Sequence, residues 1–272
     1  MKTRRPLADS TAVHDQVYEA IRQALITGRI APGKGVSLRS LAAELGVSPM
    51  PVRDAVRRLV AERALAINPA NKRLSVPSLT ADRLEQLSLA RLWVEPELAA
   101  RATARADTGL VRQLKAIDAD LDEALRLGDV DRYMAANHAF HFALYERAGA
   151  EVLQAMAGGL WLQIGPFMRV VFGRVGADVL VADRHAEAIE AVRSGDAEGA
   201  RRAIAADLSE GMDKMRMAVE SAGYAESLTG RLMRKTVITV LLKSKRDPSR
   251  RHRRPPRQAC APQPGGDRRR LC

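Results

Sequence analysis

The 272-residue sequence predicts a mainly all-α fold, an N-terminal winged helix-turn-helix domain followed by an antiparallel six-helix bundle. Apolar residues recur at helical spacing over most of the chain as far as Gly223, and two short alternating runs interrupt them near residues 65–76. Only 4% of residues are aromatic, and many Ala, Leu, Arg and Glu residues surround them, which fits helices packed through small side chains. With 46% apolar residues the chain can build cores for two domains. Residues 1–10 are expected to form a mobile arm, 11–77 the winged domain, 78–223 the helical domain and 224–272 a disordered basic tail.

In the head, Thr11 can cap a helix whose stripe is Val13, Val17, Ile21, Ala24 and Leu25 and which ends at Gly28. Ser37 caps a second helix carrying Leu38, Leu41, Ala42 and Leu45 on one face, and Gly46 supplies the sharp turn after it. Ser48 is the next N-cap, Pro49 sits where a missing N–H costs nothing, and Val52, Val56, Leu59 and Val60 return at helical spacing. Two helices joined by so short a turn lay the second into a DNA major groove. Arg53 and Arg57 share a face left over from the apolar stripe, where each can fork onto a guanine edge or a phosphate. Arg39 meets the DNA backbone or an adjacent base, while Ser48, Pro49 and Met50 lie at the groove-entering end, the last two offering apolar contact to a thymine methyl. Leu65, Ile67, Asn68-Pro69-Ala70-Asn71, Leu74 and Val76 then form a wing tipped with Lys72 and Arg73. The plainer alternative for this stretch is a helical hairpin with solvated arginines.

Residues 75–80 make a linker, and Thr80 caps the first bundle helix. Breaks at Asp107-Thr108-Gly109, Gly128-Asp129, Gly149, Gly176-Ala177-Asp178 and Gly195-Asp196 divide the rest into six helices, with Pro166 expected to kink the one from about Ala150 to Arg174. Three of these helices carry polar groups on otherwise apolar faces: Asn137 and His141 beside Phe140 and Leu144, His185 in the stripe of Val181, Ala188 and Val192, and Asp207 beside Ile204 and Leu208. Each is costly to bury unpaired, so the four are expected to converge. They can hold one divalent metal ion (Zn, Ni or Mn) per subunit, or hydrogen-bond an organic acid directly. Arg91 and Glu95, four apart, are either a structural helix pair or an Arg91 fork for a ligand carboxylate; Trp161 and Arg169 are further effector-pocket candidates.

Charge is unevenly held. Residues 1–77 carry 13 basic and 6 acidic residues, a balance of +7; residues 78–223 carry −6 and residues 224–272 carry +11. A basic head on an acidic body fits DNA binding confined to the head. The basic tail is either an arm adding salt-sensitive DNA affinity or, the preferred reading, a segment without an evolved role. Both cysteines, Cys260 and Cys272, lie in it, which excludes a disulfide framework and a cysteine metal site. The first residues lack the apolar region of a secretion signal, and the apolar runs are judged shorter than the roughly 20 residues that span a bilayer, so no membrane association and a cytoplasmic location are expected. No GxSxG or HExxH motif is present, and the chain is read as no enzyme. The alternatives kept open are a metal-dependent hydrolase built on His141, His185 and Asp207, and a non-specific nucleic-acid-binding protein driven by the tail.

The stretch VYEAIRQALITGRIAPGKGVSLRSLAAELGVSPMPVRDAVRRL resembles the N-terminal winged-helix domain of the GntR family of bacterial transcription regulators. The spacing onward resembles the FadR subgroup with its all-helical FCD effector domain, in the shorter VanR-like form; the likeness covers about Val13 to Ser221. The resemblance implies a homodimer that binds a pseudo-palindromic double-stranded operator, most often as a repressor, and releases it when a small carboxylate metabolite fills the bundle. It also implies a metal held by an Asp, a His four residues later and two further His; Asn137, His141, His185 and Asp207 stand at those positions. The chain departs from the family pattern at Asn137 and Asp207, which replace the Asp and the last His of the metal set, at Pro49, where arginine is common, and at Asn71-Lys72, where the wing often has glycine; a neutral amide such as Asn137 is a poor metal ligand.

Overall fold

A computed structural model of the chain describes residues 7–33, 35–175 and 184–221. The head comprises α1 (Leu7–Ile26), α2 (Leu38–Leu45), α3 (Pro49–Ala61), β1 (Ala66–Ile67) and β2 (Leu74–Ser75). The body comprises α4 (Ala81–Thr103), α5 (Thr108–Leu127), α6 (Val130–Arg147), α7 (Glu151–Val175), α8 (Arg184–Ser194) and α9 (Ala197–Ser221). Among the described residues the body has six helices, the number expected. The start of α1 corrects the expected arm: the helix is already formed at Leu7, so Thr11 lies inside it rather than at its cap. The break expected at 176–178, Val181 and the tail at 224–272 lie outside the described residues.

Local signals account for most helix ends. Ser37 and Ser40 form a reciprocal capping box, with the Ser40 amide donating to Ser37 Oγ at 3.0 Å, and Gly46 closes α2 in the left-handed conformation at φ 67°. Thr80, Asp107 and Asp129 each accept a hydrogen bond from the backbone three residues on. Ser48 has the extended backbone of an N-cap, but its hydroxyl makes no capping bond. Val52, Ala55, Val56 and Leu59 of α3 pack against Val17, Ile21 and Leu25 of α1 and Leu41 and Ala42 of α2. The wing is a two-stranded antiparallel ribbon pairing Ala66 with Ser75 and Ile67 with Leu74, and Val36 adds a bridge to Leu74.

The head's apolar core continues into the body, where Tyr133, Met134, Trp161, Phe167 and Met215 belong to the same cluster; a second cluster fills the other part of the bundle around Leu98, Leu114, Phe140 and Ile204. Pro96 and Pro166 both sit inside continuous helices. Contrary to the expectation from the sequence, one apolar run reaches the length that spans a bilayer. Glu151–Phe172 of α7 is long and apolar enough to cross a membrane by length and composition, but more than half of it is buried against the rest of the protein, as suits a core helix.

Head and body meet closely along α1 and α7. Gly165 lies so near the end of α1 that a Cβ there would stand 2.4 Å from the Ile26 carbonyl oxygen, and Gly28, at φ 69°, lies equally close under the Arg169 side chain. Arg169 Nη1 donates to Asp131 Oδ1 at 2.7 Å, and Arg83 Nη2 donates to Gln163 Oε1 at 2.9 Å and to the Arg63 carbonyl at 3.2 Å. Glycine at 165 is thus a requirement of the seam. Gly165→Ala is expected to destabilise the protein by about 1–3 kcal/mol through overpacking, despite alanine's higher helix propensity, read as a lower midpoint in calorimetric melting. An unchanged or raised midpoint would show that the seam is looser than described.

Candidate functional site

The DNA-facing candidates all emerge on the surface. Arg39, Ser48, Pro49, Met50, Arg53, Arg57, Lys72 and Arg73 are exposed; on α3 the buried stripe turns Arg53 and Arg57, which lie between its members, outward. Met50 is 60% exposed at the start of α3. Arg57 Nη1 stands 3.8 Å from Asp54 Oδ1, and Asp54 is held in turn by His14 Nδ1 at 3.1 Å. Arg53 makes no ion pair among the described residues. Arg58 has a different job: its guanidinium lies 3.7 Å over the Tyr18 ring and 3.3 Å from Asp15, tying α3 to α1. Lys72 adopts φ 56°, the left-handed region that glycine occupies easily, at the position where the wing departs from the family's glycine. Asn68 and Asn71 hold that turn, with Asn68 Oδ1 accepting from the Ala70 amide at 2.9 Å and Asn71 Oδ1 from the Arg73 amide at 3.0 Å.

Inside the body, the polar groups singled out by their helix faces come together. His141 Nε2 lies 3.3 Å from Asp207 Oδ2, His185 Nε2 lies 4.0 Å from Asp207 Oδ1, and one ligand atom from each of the three falls within 4.8 Å of the others. Asn137 and Asp207 line a cavity of about 40 Å³ with Arg91, His141, Trp161, Tyr133, Met168, Phe172 and Lys214. Phe140 stacks on the His185 ring at 3.9 Å, and Asp118 Oδ1 lies 3.3 Å from His185 Nδ1.

Beneath the cavity runs a second layer. Arg91 and Glu95, 1% and 0% exposed, form a two-point ion pair at 2.5 and 3.1 Å. Tyr145 and Trp161 both donate to Glu95 Oε2, at 2.6 and 3.0 Å. Burial, reinforced by the Glu95 charge, holds the Tyr145 phenol well above its ordinary value, so it keeps the proton it donates. His141 Nδ1, 3.0 Å from the Tyr145 oxygen, must then be the donor of that contact, because the only phenolic proton is committed to Glu95. Nε2 is left facing Asp207. Burial opposes ionisation of Asp207, but with His141 protonated on both nitrogens its hydrogen bond and charge, together with the charges of His185 and Arg91, outweigh burial and lower the carboxyl to about 2. A bare imidazole lone pair against a carboxylate is unfavourable, so the arrangement calls for a proton on Nε2 or a cation between the two groups. Two imidazoles and a carboxylate, with one imidazole oriented through its other nitrogen by a hydrogen-bonded phenol, fit a borderline divalent metal.

The Bacterial regulatory proteins, gntR family, model matches residues 13–71, and the FCD domain model matches residues 86–210. The chain belongs to the GntR family. Its helical body is an FCD domain, as in the FadR subgroup. The chain is 28% identical over 193 residues to the HTH-type transcriptional regulator McbR of Escherichia coli K12, covering 70% of this chain and 86% of McbR. It is 21% identical over 216 residues to the HTH-type transcriptional repressor RspR of the same organism, covering 79% of this chain and 94% of RspR. The solved structure of E. coli McbR/YncC matches with a TM-score of 0.72 at 25% identity, over 76% of this chain and 98% of that one. A structural-genomics GntR structure from Rhodococcus sp. RHA1 shares the fold, with a TM-score of 0.60 at 23% identity, over 74% of this chain and 96% of that one. These relatives are transcription regulators, not enzymes, and the hydrolase alternative is not favoured.

For this GntR regulator, the structure brings Arg91, Asn137, His141, Trp161, His185 and Asp207 to one place. It does not bring Arg169 there: that side chain lies over Gly28 in the head–body seam, because α7 turns it toward α1 and Asp131 rather than into the bundle. Arg91 takes up both of its alternatives, paired with Glu95 and lining the cavity. Sequence reasoning missed Tyr145 and Asp118. Each carried a faint signal, Tyr145 one helical turn after His141 and Asp118 on the inner face between Leu114 and Leu121.

His138, on the same helix, is distinct from this cluster. Burial, helped by the charges of Arg22 and His141, lowers it to about 3, and its Nε2 is buried without a hydrogen-bond partner among the described residues. The unfolded chain takes up a proton there near pH 6.5 that the folded chain refuses, so stability falls as pH drops from about 6.5 toward about 3. Wild type is expected to lose about 1 kcal/mol per pH unit more than His138→Leu between pH 6 and 4, measured by urea melts. Parallel pH profiles would contradict the burial of a neutral imidazole.

Proposed function

We propose that this GntR regulator is a cytoplasmic homodimeric repressor that grips a short pseudo-palindromic operator with two winged heads and releases it when a small carboxylate effector occupies the bundle. The observation that carries the reading is the double use of α7. The same helix lends Trp161, Met168 and Phe172 to the inner cavity and Gly158, Gly165 and Arg169 to the seam with the head, while its Gln163 holds Arg83, which reaches the Arg63 carbonyl of the head. A ligand that prefers one position of α7 therefore prefers one position of the head, and such coupling is typically worth about 1–3 kcal/mol.

In this reading His141, His185 and Asp207 hold one divalent metal ion per subunit, with Asn137 offering an amide oxygen. The ion supplies a positive anchor for an organic acid, and Arg91 and Lys214 add cationic groups at the cavity. Two copies are needed because one head reads only a half-site. Trp93, 75% exposed, and Leu89, one turn earlier on α4, offer an apolar face for the second copy.

The test is an anisotropy titration at fixed salt with DNA from the protein's own upstream region and competitor DNA present. Wild type is expected to bind specifically with two copies per duplex, and Arg53→Ala to weaken binding by about 1–3 kcal/mol, roughly tenfold or more. Binding that ignores both sequence and Arg53 would remove the reading and favour non-specific attraction to the tail.

A further inference from the structure

A second cleft, separate from the inner cavity, opens between α1 and the end of α3 on one side and α6 and α7 on the other. It measures about 610 Å³, within the range of roughly 300–1,000 Å³ usual for small-molecule sites. Its charge is one-sided. Glu19, Glu62, Glu146 and Glu151 line it against Arg22, the single cation among its described lining residues. Two of these carboxylates are engaged: Glu19 accepts from Arg22 at 3.1 Å, and both oxygens of Glu62 accept the Tyr18 hydroxyl, at 2.8 and 3.0 Å. Glu146 and Glu151 make no hydrogen bond or ion pair among the described residues.

One wall is aromatic. His138 and Phe142 stack at 4.1 Å and 22°, and Trp161 meets their backs edge-on at 5.4 and 5.8 Å. The floor on α7 is Ala155, Gly158 and Gly159, small residues in the interior of a long helix, where glycine is disfavoured. Gly158 has a reason within the chain, since a Cβ there would lie 2.9 Å from an Arg22 nitrogen. Gly159 has none: its Cβ would meet nothing within 4 Å, and its effect is to leave room in the cleft.

We propose that this cleft is a second ligand site, for an organic cation that carries an amine on a flat apolar body. The amine pairs with Glu146 and Glu151, the flat body lies along the His138–Phe142 wall, and the same carboxylates repel an acid of equal shape. Because the cleft is walled by head and body together, its occupant bridges the two. It reaches the inner cavity through Trp161, which backs the aromatic wall of the cleft and lines that cavity as well.

The test is calorimetric titration of the full-length protein with 2-phenylethylamine and, in parallel, with phenylacetate, so that it depends on neither operator nor metal. The amine is expected to bind wild type and Asp207→Asn alike, to bind the double variant Glu146→Gln/Glu151→Gln at least about tenfold more weakly, and to be excluded by Ala155→Trp, which fills the floor from an exposed position. Melting curves matching wild type establish that both cleft variants are folded. Absence of amine binding at about 10 mM, equal binding of phenylacetate, or binding that survives in both cleft variants overturns the proposal. Loss of the amine in Asp207→Asn together with retention in Ala155→Trp also overturns it, by moving the amine to the inner cavity.

Discussion

A single buried carboxylate organises the body of this protein. Glu95 has no exposed surface and takes the Arg91 fork, the Tyr145 hydroxyl and the Trp161 indole N–H at once, so it ties α4 to α6 and α7. An ionised carboxylate without these partners would be several kcal/mol out of balance in such a place. The consequence reaches the functional cluster, because Glu95 claims the Tyr145 proton and thereby fixes which nitrogen of His141 points at Asp207. The charge at the centre of the bundle is thus a matter of hydrogen-bond direction as much as of distance.

The second constraint is contact without side chains. At Gly165 and Gly28 the head and body approach more closely than any Cβ allows, and Asp131, held within the body by Arg169, also faces Arg29 of the head at 3.9 Å. A close-packed seam transmits displacement rather than absorbing it. The helix that forms it also lines both cavities, so the geometry of a DNA-reading head and of a buried polar site are set by one element.

The legible parts of the sequence were those decided locally. Of the caps expected, Ser37 and Thr80 cap as read while Thr11 and Ser48 do not, Asp107 and Asp129 cap at breaks that the sequence marks, and the outward turn of Arg53 and Arg57 follows from the spacing of Val52, Val56 and Leu59 alone. The convergence of His141, His185 and Asp207 was legible for a similar reason, since a polar group on an apolar stripe must find others. What escaped depends on which helices are neighbours. A helical wheel gives the face of Arg169 but not that α1 covers it, and it gives neither the Asp118–His185 contact nor the pairing of Tyr145 with a carboxylate 50 residues away. The left-handed Lys72 is a third case, because Asn68 and Asn71 compensate through turn hydrogen bonds that propensity does not reveal.

The central claim is that the polar site in the bundle biases the DNA-reading head. The most direct measurement is operator affinity of metal-stripped and zinc-loaded protein at constant salt, with zinc binding followed by calorimetry on the same samples. The account predicts that zinc binds, that loading changes operator affinity by about fivefold or more, and that Asp207→Asn abolishes this difference while specific DNA binding persists. Failure to bind zinc, or superimposable operator curves with zinc bound, would contradict it.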